Sequence, residues 1–446
     1  MKNLSEMQTT VPPFNFLNTH CFDSSVRGEN LSGQLTSNGS NVFVSPGVKS
    51  CGKHFFVKML ACLAAVSTVV LAQEVAQAQE GPIVISNSTS AFLQKPIPVS
   101  LEGFTSEGAQ VLKFDLYVQG FSFVGPDTAQ YIIKGSDAGN ITGSLADKFA
   151  KNTLFSKSYN GASLRRQAHA FADDITTAIR GTKPIGGSKI AYKSQSAVGP
   201  GEIFVADFDG FGAQPATSDG AIVARPAWLP GHLALYYTSY VRGNPDIFFH
   251  SLSNGQRRVF AGYSGLNTSA SVSPDGSKVA MILSKTGSPN VWVCNADGSG
   301  LRRLTKGIED SSPCWSPDGQ TICFAAKINA RRVLAKVSAG GGEVQRLSTA
   351  GAPNPTEPDW SPDGKWVAFT SQAGDFSICV VSADGKVGPV TLVAGQNPSW
   401  SANSRTLVYN RGAAGHQRLA VLDVFTKQTR DGHAASGSNS EPAWSR

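Results

Sequence analysis

Short runs of alternating apolar and polar residues recur through the C-terminal part of the chain. They lie at 188–192 (SKIAY), 233–238, 278–283 (KVAMIL), 321–326 (TICFAA), 365–370 and 405–410. Alternation over four to eight residues, bounded by Gly, Pro, Asp and Ser, predicts half-buried strands. A second run follows most of them after a loop, as in NVWVCNADG (290–298), FSICVVSADG (376–385) and RLAVLDV (418–424). A last short segment ends in LRRLT (301–305) or VQRLS (344–348). The N-terminal part has a different period. In SLRRQAHAFADDITTAIRG (163–181), Leu164, Ala168, Phe171, Ile175 and Ala178 recur at helical spacing. Ser163 is placed to cap the start and Gly181 the end. His169 falls opposite that apolar stripe, which predicts a solvated histidine. The runs at 83–86, 96–101 and 153–159 read as strands.

Ahead of each first run in the C-terminal part stands a further motif. Aligned on tryptophan, the copies place Trp228, Val272, Trp315, Trp360, Trp400 and Trp444 in one column, at intervals of 44, 43, 45, 40 and 44 residues. A period near 43 suits one four-stranded propeller blade. The Ser-Pro-Asp-Gly that follows several of the tryptophans is turn chemistry, with Pro presetting φ and Gly taking the left-handed position. There are six tryptophan-type strands and six second strands, but the series are offset by one unit. Nothing like Pro-x-Trp precedes 188–192, and EPAWSR at 441–446 has no second strand after it. If EPAWSR forms the innermost strand of the first blade, six blades close into a ring without open edges. The fold class expected is therefore mainly β: a six-bladed propeller at 186–446, closed by the C-terminal strand. A small α/β domain at 79–182 precedes it, joined by the linker TKPIGG.

The segment KHFFVKMLACLAAVSTVVLAQEVAQAQE has a basic start (Lys53, Lys58), a short apolar run and a small-residue site at Ala76-Gln77-Ala78. It reads as a Sec-type signal peptide whose h- and c-regions span 59–78, with cleavage before Gln79. The apolar run is shorter than the roughly 20 residues that span a bilayer. Residues 1–58 carry no core pattern and read as a poorly structured upstream segment. A translation start near Val48, where a GTG codon could stand, accounts for its unusual position.

Composition narrows the function classes. Of 446 residues 41% are hydrophobic and 16% charged, so this is a core-forming globular chain. The net charge of +7 is scattered, with no basic run of the kind that binds nucleic acid. Cleavage would leave Cys294, Cys314, Cys323 and Cys379, with no Cys-x-x-Cys and no zinc-type spacing. Cys314 and Cys323 sit on two strands of one hairpin. An oxidising compartment permits a disulfide there. The alternative is small buried apolar residues.

At these residues the chain resembles the TolB family of periplasmic propeller proteins of the bacterial Tol–Pal envelope system. The features that carry the resemblance are the signal segment, a small α/β domain ending in a helix, SVSPDGSKVAMILSKTGSPNVWV (271–293) and the terminal EPAWS. It covers about residues 82–446. The α/β domain is shorter than the family pattern, and residues 1–50 have no counterpart. The resemblance implies a non-enzymatic, periplasmic protein-binding component with no cofactor or metal. Its propeller would hold the peptidoglycan-associated lipoprotein Pal, giving peripheral association with the outer membrane. Its mature N-terminal segment (Glu80, Ile83, Val84, Ile85) and small domain would engage the inner-membrane protein TolA, in the service of envelope integrity and cell division. The residues agree with a binding role. The segments entering the innermost strands (223–225, 266–269, 309–312, 354–357, 395–397 and 438–441) are short, polar and mixed in charge. Arg225, Asn267, Thr268, Asp310, Ser311, Glu357, Asn397 and Glu441 are the expected contacts.

Propeller repeats also occur in two other classes. A propeller of a prolyl-oligopeptidase-like peptidase would accompany a catalytic domain with Gly-x-Ser-x-Gly, a motif this sequence lacks. A sugar-binding propeller stays open as an alternative. Asp in the Ser-Pro-Asp-Gly turns is explained by turn stabilisation without calcium.

Overall fold

The computed structural model describes residues 92–196, 199–433 and 436–446. The expected leader, the upstream segment, the strand at 83–86 and the segment Glu80 to Ile85 lie outside these residues. Among the described residues no helix is long and apolar enough to cross a membrane.

The first part is a mixed five-stranded sheet with two helices. In chain order these are β1 (Ile97–Glu102), α1 (Glu107–Tyr117), β2 (Phe121–Phe123), β3 (Tyr131–Ser136), β4 (Thr142–Asp147), β5 (Asn152–Ser158) and α2 (Leu164–Arg180). The spatial order is β2-β1-β3-β4-β5, with β1 parallel to both β2 and β3 and the remainder antiparallel. The helix caps read from sequence are present. Arg166 N donates to Ser163 Oγ at 3.3 Å, and Gly181 adopts φ 65° with its N–H on Thr177 O. Ala168, Phe171 and Ile175 pack against the sheet with Val99, Leu112 and Leu145, whereas Ala178 is exposed and Ile179 takes up the end of the stripe.

The start of α1 is fixed from a distance. Asp137, at the end of β3, accepts from Thr105 N (3.0 Å), Ser106 N (2.8 Å), Ser106 Oγ (2.6 Å) and Ala109 N (3.2 Å). Burial opposes its ionisation. The Ser106 hydroxyl and the three amides outweigh that and hold the carboxyl at about 2. A depressed carboxylate pKa contributes stability that is present above the unfolded value of about 3.9 and is lost as pH falls through the folded one. Asp137→Asn is therefore expected to cost about 1–2 kcal/mol near neutrality, as lost helix caps do. The difference between the variant and the parent should shrink as denaturation is followed from pH 4 towards pH 2. A difference that does not change with pH would contradict this role.

The rest is a ring of six four-stranded antiparallel blades. Their innermost strands are Ser438–Trp444 in blade 1, then Val223–Trp228, Asn267–Val272, Asp310–Trp315, Thr356–Trp360 and Gln396–Trp400 in blades 2 to 6. The C-terminal strand does pair with the first strand of the propeller. Trp444 stands opposite Ile190, Ala443 opposite Ala191 and Ser440 opposite Lys193. The predicted turns form as the residue types require. In blade 4, Ser316 Oγ donates to Asp318 at 2.5 Å and accepts from Thr321 N at 2.9 Å, and Gly319 takes φ 68°. The tryptophans wedge between blades. Trp315 Nε1 donates to Ser271 O of blade 3, Trp400 Nε1 to Asp359 O of blade 5, and Trp228 Nε1 to Ala443 O of blade 1. Cys314 and Cys323 are directly opposite in register, and both are buried free thiols. Burial, with Cys323 beside it, pushes the Cys314 thiol well above its ordinary value, which disfavours the reactive thiolate.

The small domain rests on the turns of blades 1 and 6 at one end of the ring, and Phe92, ahead of β1, packs on Trp366 of blade 5. Arg405 and Asp423 of blade 6 form a buried ion pair, and Arg405 Nε also donates to Gln119 O at 3.2 Å. Gly120 is needed beside them: a Cβ there would fall 2.3 Å from the Arg405 guanidinium. His169 corrects the sequence reading. It is buried, not solvated, with Nδ1 at 2.6 Å from Asp115 Oδ2 and Nε2 at 3.7 Å from Asp209. The physical reason is that α2 has two covered faces. Its apolar stripe meets the sheet, and the opposite face, with Arg165 ion-paired to Asp209, meets blade 1.

Candidate functional site at the propeller mouth

The end of the ring opposite the small domain is built from the connections that enter the innermost strands and from the hairpins between second and third strands. Each innermost strand begins there and then bulges. The register shifts in all six blades at an equivalent place. At each bulge one non-glycine residue adopts φ between 50° and 56°: Arg225, Ser269, Ser312, Glu357, Asn397 and Glu441. Five of the six precede a proline. Positive φ is unfavourable for residues with a Cβ, and strain of this kind concentrates at ligand clamps and functional sites. A bulge also re-aims the side chain it carries. Here all six bulge residues line one central cavity of about 150 Å3 at the ring axis.

An ion triad spans that cavity. Arg225 Nη2 lies 3.1 Å from Glu357 Oε1, which belongs to the blade directly across the ring, and Arg225 Nε lies 3.8 Å from Glu441 Oε2. The Glu441 carboxylate also accepts from Arg225 N at 2.6 Å. Glu357 Oε2 accepts from Thr370 Oγ1 at 2.8 Å and from Asn397 N at 3.1 Å. Burial pulls the Arg225 pKa down. The charges of Glu357 and Glu441 more than reverse it, so the guanidinium stays a cation. Its side chain is still one-third exposed, open to whatever enters the mouth.

The expected contact residues separate into two groups. Arg225, Glu357, Asn397 and Glu441 come together at the axis. Thr268 and Ser311 stand one residue before the bulge, half-buried, with Thr268 Oγ1 bonded to Thr238 Oγ1 at 2.9 Å. Asn267 and Asp310 are buried behind the rim. Asn267 Nδ2 donates to Pro245 O, Tyr263 O and Gly265 O, and Asp310 holds Thr305 Oγ1 and Asn290 Nδ2. Those two side chains fasten the connections that shape the mouth. Ser269 and Ser312 are the two bulge residues that are not among the expected contacts. The signal for Ser312 is its place before Pro in the x-Pro-x-Trp motif, and Ser269 holds the same column.

Exposed apolar side chains share the face with the polar centre. Nine large hydrophobics are exposed among the described residues. Five of them, Ile222, Val241, Tyr263, Ile308 and Phe376, lie in connections or hairpin tips of this face, and Ile308 is 74% exposed. No group of three or more His, Cys, Asp or Glu residues suited to a metal occurs among the described residues.

Comparison with known proteins places this geometry. A curated protein described as a TolB homolog, from Chlorobium luteolum, is 29% identical over 245 residues, which is 53% of this chain and 54% of that one. The chain thus spans about half the length of the curated relative it matches. The crystal structure of TolB from Acinetobacter baumannii superposes with a TM-score of 0.71 at 21% identity, over 79% of this chain and 97% of that one, which shows the shared fold. The family model described as the TolB beta propeller domain matches residues 177–446, more than half of the sequence, and the chain belongs to that family.

Proposed function

We propose that this protein is a non-enzymatic docking component of the Tol–Pal envelope system, working in the periplasm. The propeller mouth receives a peptidoglycan-associated, Pal-like lipoprotein, and through it the protein associates peripherally with the outer membrane. The N-terminal part engages a TolA-like inner-membrane protein, so that the two contacts together serve envelope integrity and division. The observation that supports the mouth is the arrangement of its surface. A polar, strained ring with an ion triad at the axis shares its face with the exposed side chains of Ile222, Val241, Tyr263, Ile308 and Phe376. Exposed apolar side chains gathered on one face mark protein interaction sites. Polar groups at fixed places among them supply orientation.

The test uses purified lipoprotein and the full chain. Arg225→Ala combined with Glu357→Ala removes one charge of each sign from the mouth, and Ile308→Asp is a separate variant on the apolar part of that face. Both are expected to weaken lipoprotein capture tenfold or more while the melting temperature stays within a few degrees of the parent. Undiminished capture by both variants would remove the mouth from the account.

A further inference from the structure

A second concavity lies on the mouth face between blades 4 and 5, with a volume of about 800 Å3. Its walls are the start of the third strand of blade 4, at Arg331 and Arg332, and the stretch from Arg346 to Pro355 that passes to blade 5. Three guanidinium groups line it, and no carboxylate does. Arg332 is matched by Glu309 at 2.7 Å, but that same carboxylate also holds Lys327 at 3.2 Å. Arg331 and Arg346 are exposed and make no ion pair with any described residue. Two of these four cations therefore share one carboxylate and the other two have none, and Ser348 and Thr349 line the same wall.

Uncompensated cations in a concave site repel one another and focus a positive potential, so an entering anion relieves an existing cost. Arginine matches a carboxylate with two parallel N–H donors, which a lysine cannot do. The cavity is far larger than a single inorganic ion would fill, and its position continues the docking face: Ile308 is next in sequence to Glu309. The concavity opens on the face proposed to receive the docked protein, so an acidic segment of that partner reaches it directly, and anionic lipid is an outcome of the test.

We propose that this groove takes an acidic peptide segment, Asp or Glu side chains of the protein that docks on the mouth. The proposal rests on the mouth reading above and adds the charge of the partner's flanking segment. The probe is a fluorescein-labelled hexaglutamate peptide titrated with the full chain and read by anisotropy, with hexaglutamine, inorganic phosphate and vesicles containing anionic phospholipid as parallel arms. Hexaglutamate should bind and hexaglutamine should not. Arg331→Glu with Arg346→Glu should raise the peptide Kd tenfold or more, and added salt should weaken the parent more than the variant. Both residues are exposed, and Arg331→Gln with Arg346→Gln provides a milder pair should the reversal disturb folding. Lys386→Glu, on an exposed turn at the other end of blade 5, should leave the Kd within twofold. A Kd unchanged in both arginine pairs would overturn the proposal, as would binding confined to phosphate or to vesicles. Because this assay contains no lipoprotein, its failure is separate from failure of the mouth variants to lose capture.

Discussion

Deletion of residues 441–446 is expected to lower the melting temperature by roughly 10 °C or more and to make the protein aggregate. Six residues at a chain end are ordinarily dispensable. These are not, because Glu441, Ala443, Trp444, Ser445 and Arg446 are each tied to another part of the molecule. Trp444 is buried, stacks on Phe208 with centroids 5.8 Å apart, and donates to Ser188 Oγ at 2.7 Å. It packs with Ile190 and Tyr192 of blade 1, with Val408 and Val421 of blade 6, and with Phe114 and Val118 of the small domain. Ser445 exchanges two hydrogen bonds with the Lys189 backbone, both 2.8 Å. Arg446 reaches past blade 6, donating to Trp400 O at 3.0 Å, and pairs with Asp359 in blade 5. Glu441 belongs to the ion triad at the mouth. The tryptophan alone accounts for about 3–5 kcal/mol, a large share of a typical stability of about 5–15 kcal/mol. The deletion also takes away the partners of Lys189, Ile190 and Ala191, exposing that part of the edge of the strand Lys189–Gln195. The measurement is thermal and denaturant unfolding of the deletion beside the full chain. A melting temperature within a few degrees of the parent would refute closure of the ring by this strand.

Trp315→Ala and Trp360→Ala should each destabilise by about 3–5 kcal/mol, the usual cost of truncating a buried aromatic. Both side chains are less than a tenth exposed. Trp315 packs with Ala280, Ile282 and Val293 of blade 3 as well as Ile322 and Phe324 of its own blade. Trp360 packs with Cys314, Cys323 and Ala325 of blade 4 and with Val367 and Phe369 of blade 5. Each truncation opens a cavity at the seam between two blades and leaves a carbonyl acceptor, Ser271 O or Gly364 O, without its indole donor. Denaturant midpoints at unchanged slope provide the readout. A change below about 1 kcal/mol would mean that the seams do not depend on these wedges.

The propeller was legible because a blade is local chemistry repeated. Pro-x-Trp, Ser-Pro-Asp-Gly and an alternating run recur within one period, and the surplus EPAWSR at the chain end pointed to closure. The mouth residues Arg225, Glu357, Asn397 and Glu441 were legible for the same reason, as members of one column. Asn267 and Asp310 misled because a polar residue at a strand start looks exposed. Here the incoming connections wrap over both and use their side chains as fasteners. The small domain was harder to read. Helix α1 sends Val111, Leu112 and Leu116 to the sheet, but its Phe114 and the Val118 that caps it go to the propeller, which blurs a single apolar stripe. Its capping group, Asp137, comes from another strand. His169 looked solvated because a helix seen alone has one core face, whereas α2 is covered on two.

Hydrogen exchange of the full chain with and without a purified peptidoglycan-associated lipoprotein tests the central claim most directly. Docking on the mouth predicts protection at 262–269, 305–312, 374–377 and 394–397, with the Ser-Pro-Asp-Gly turns at the other end unchanged. Protection confined to 97–180, or to those turns, with the mouth exchanging as in the free protein, would contradict it.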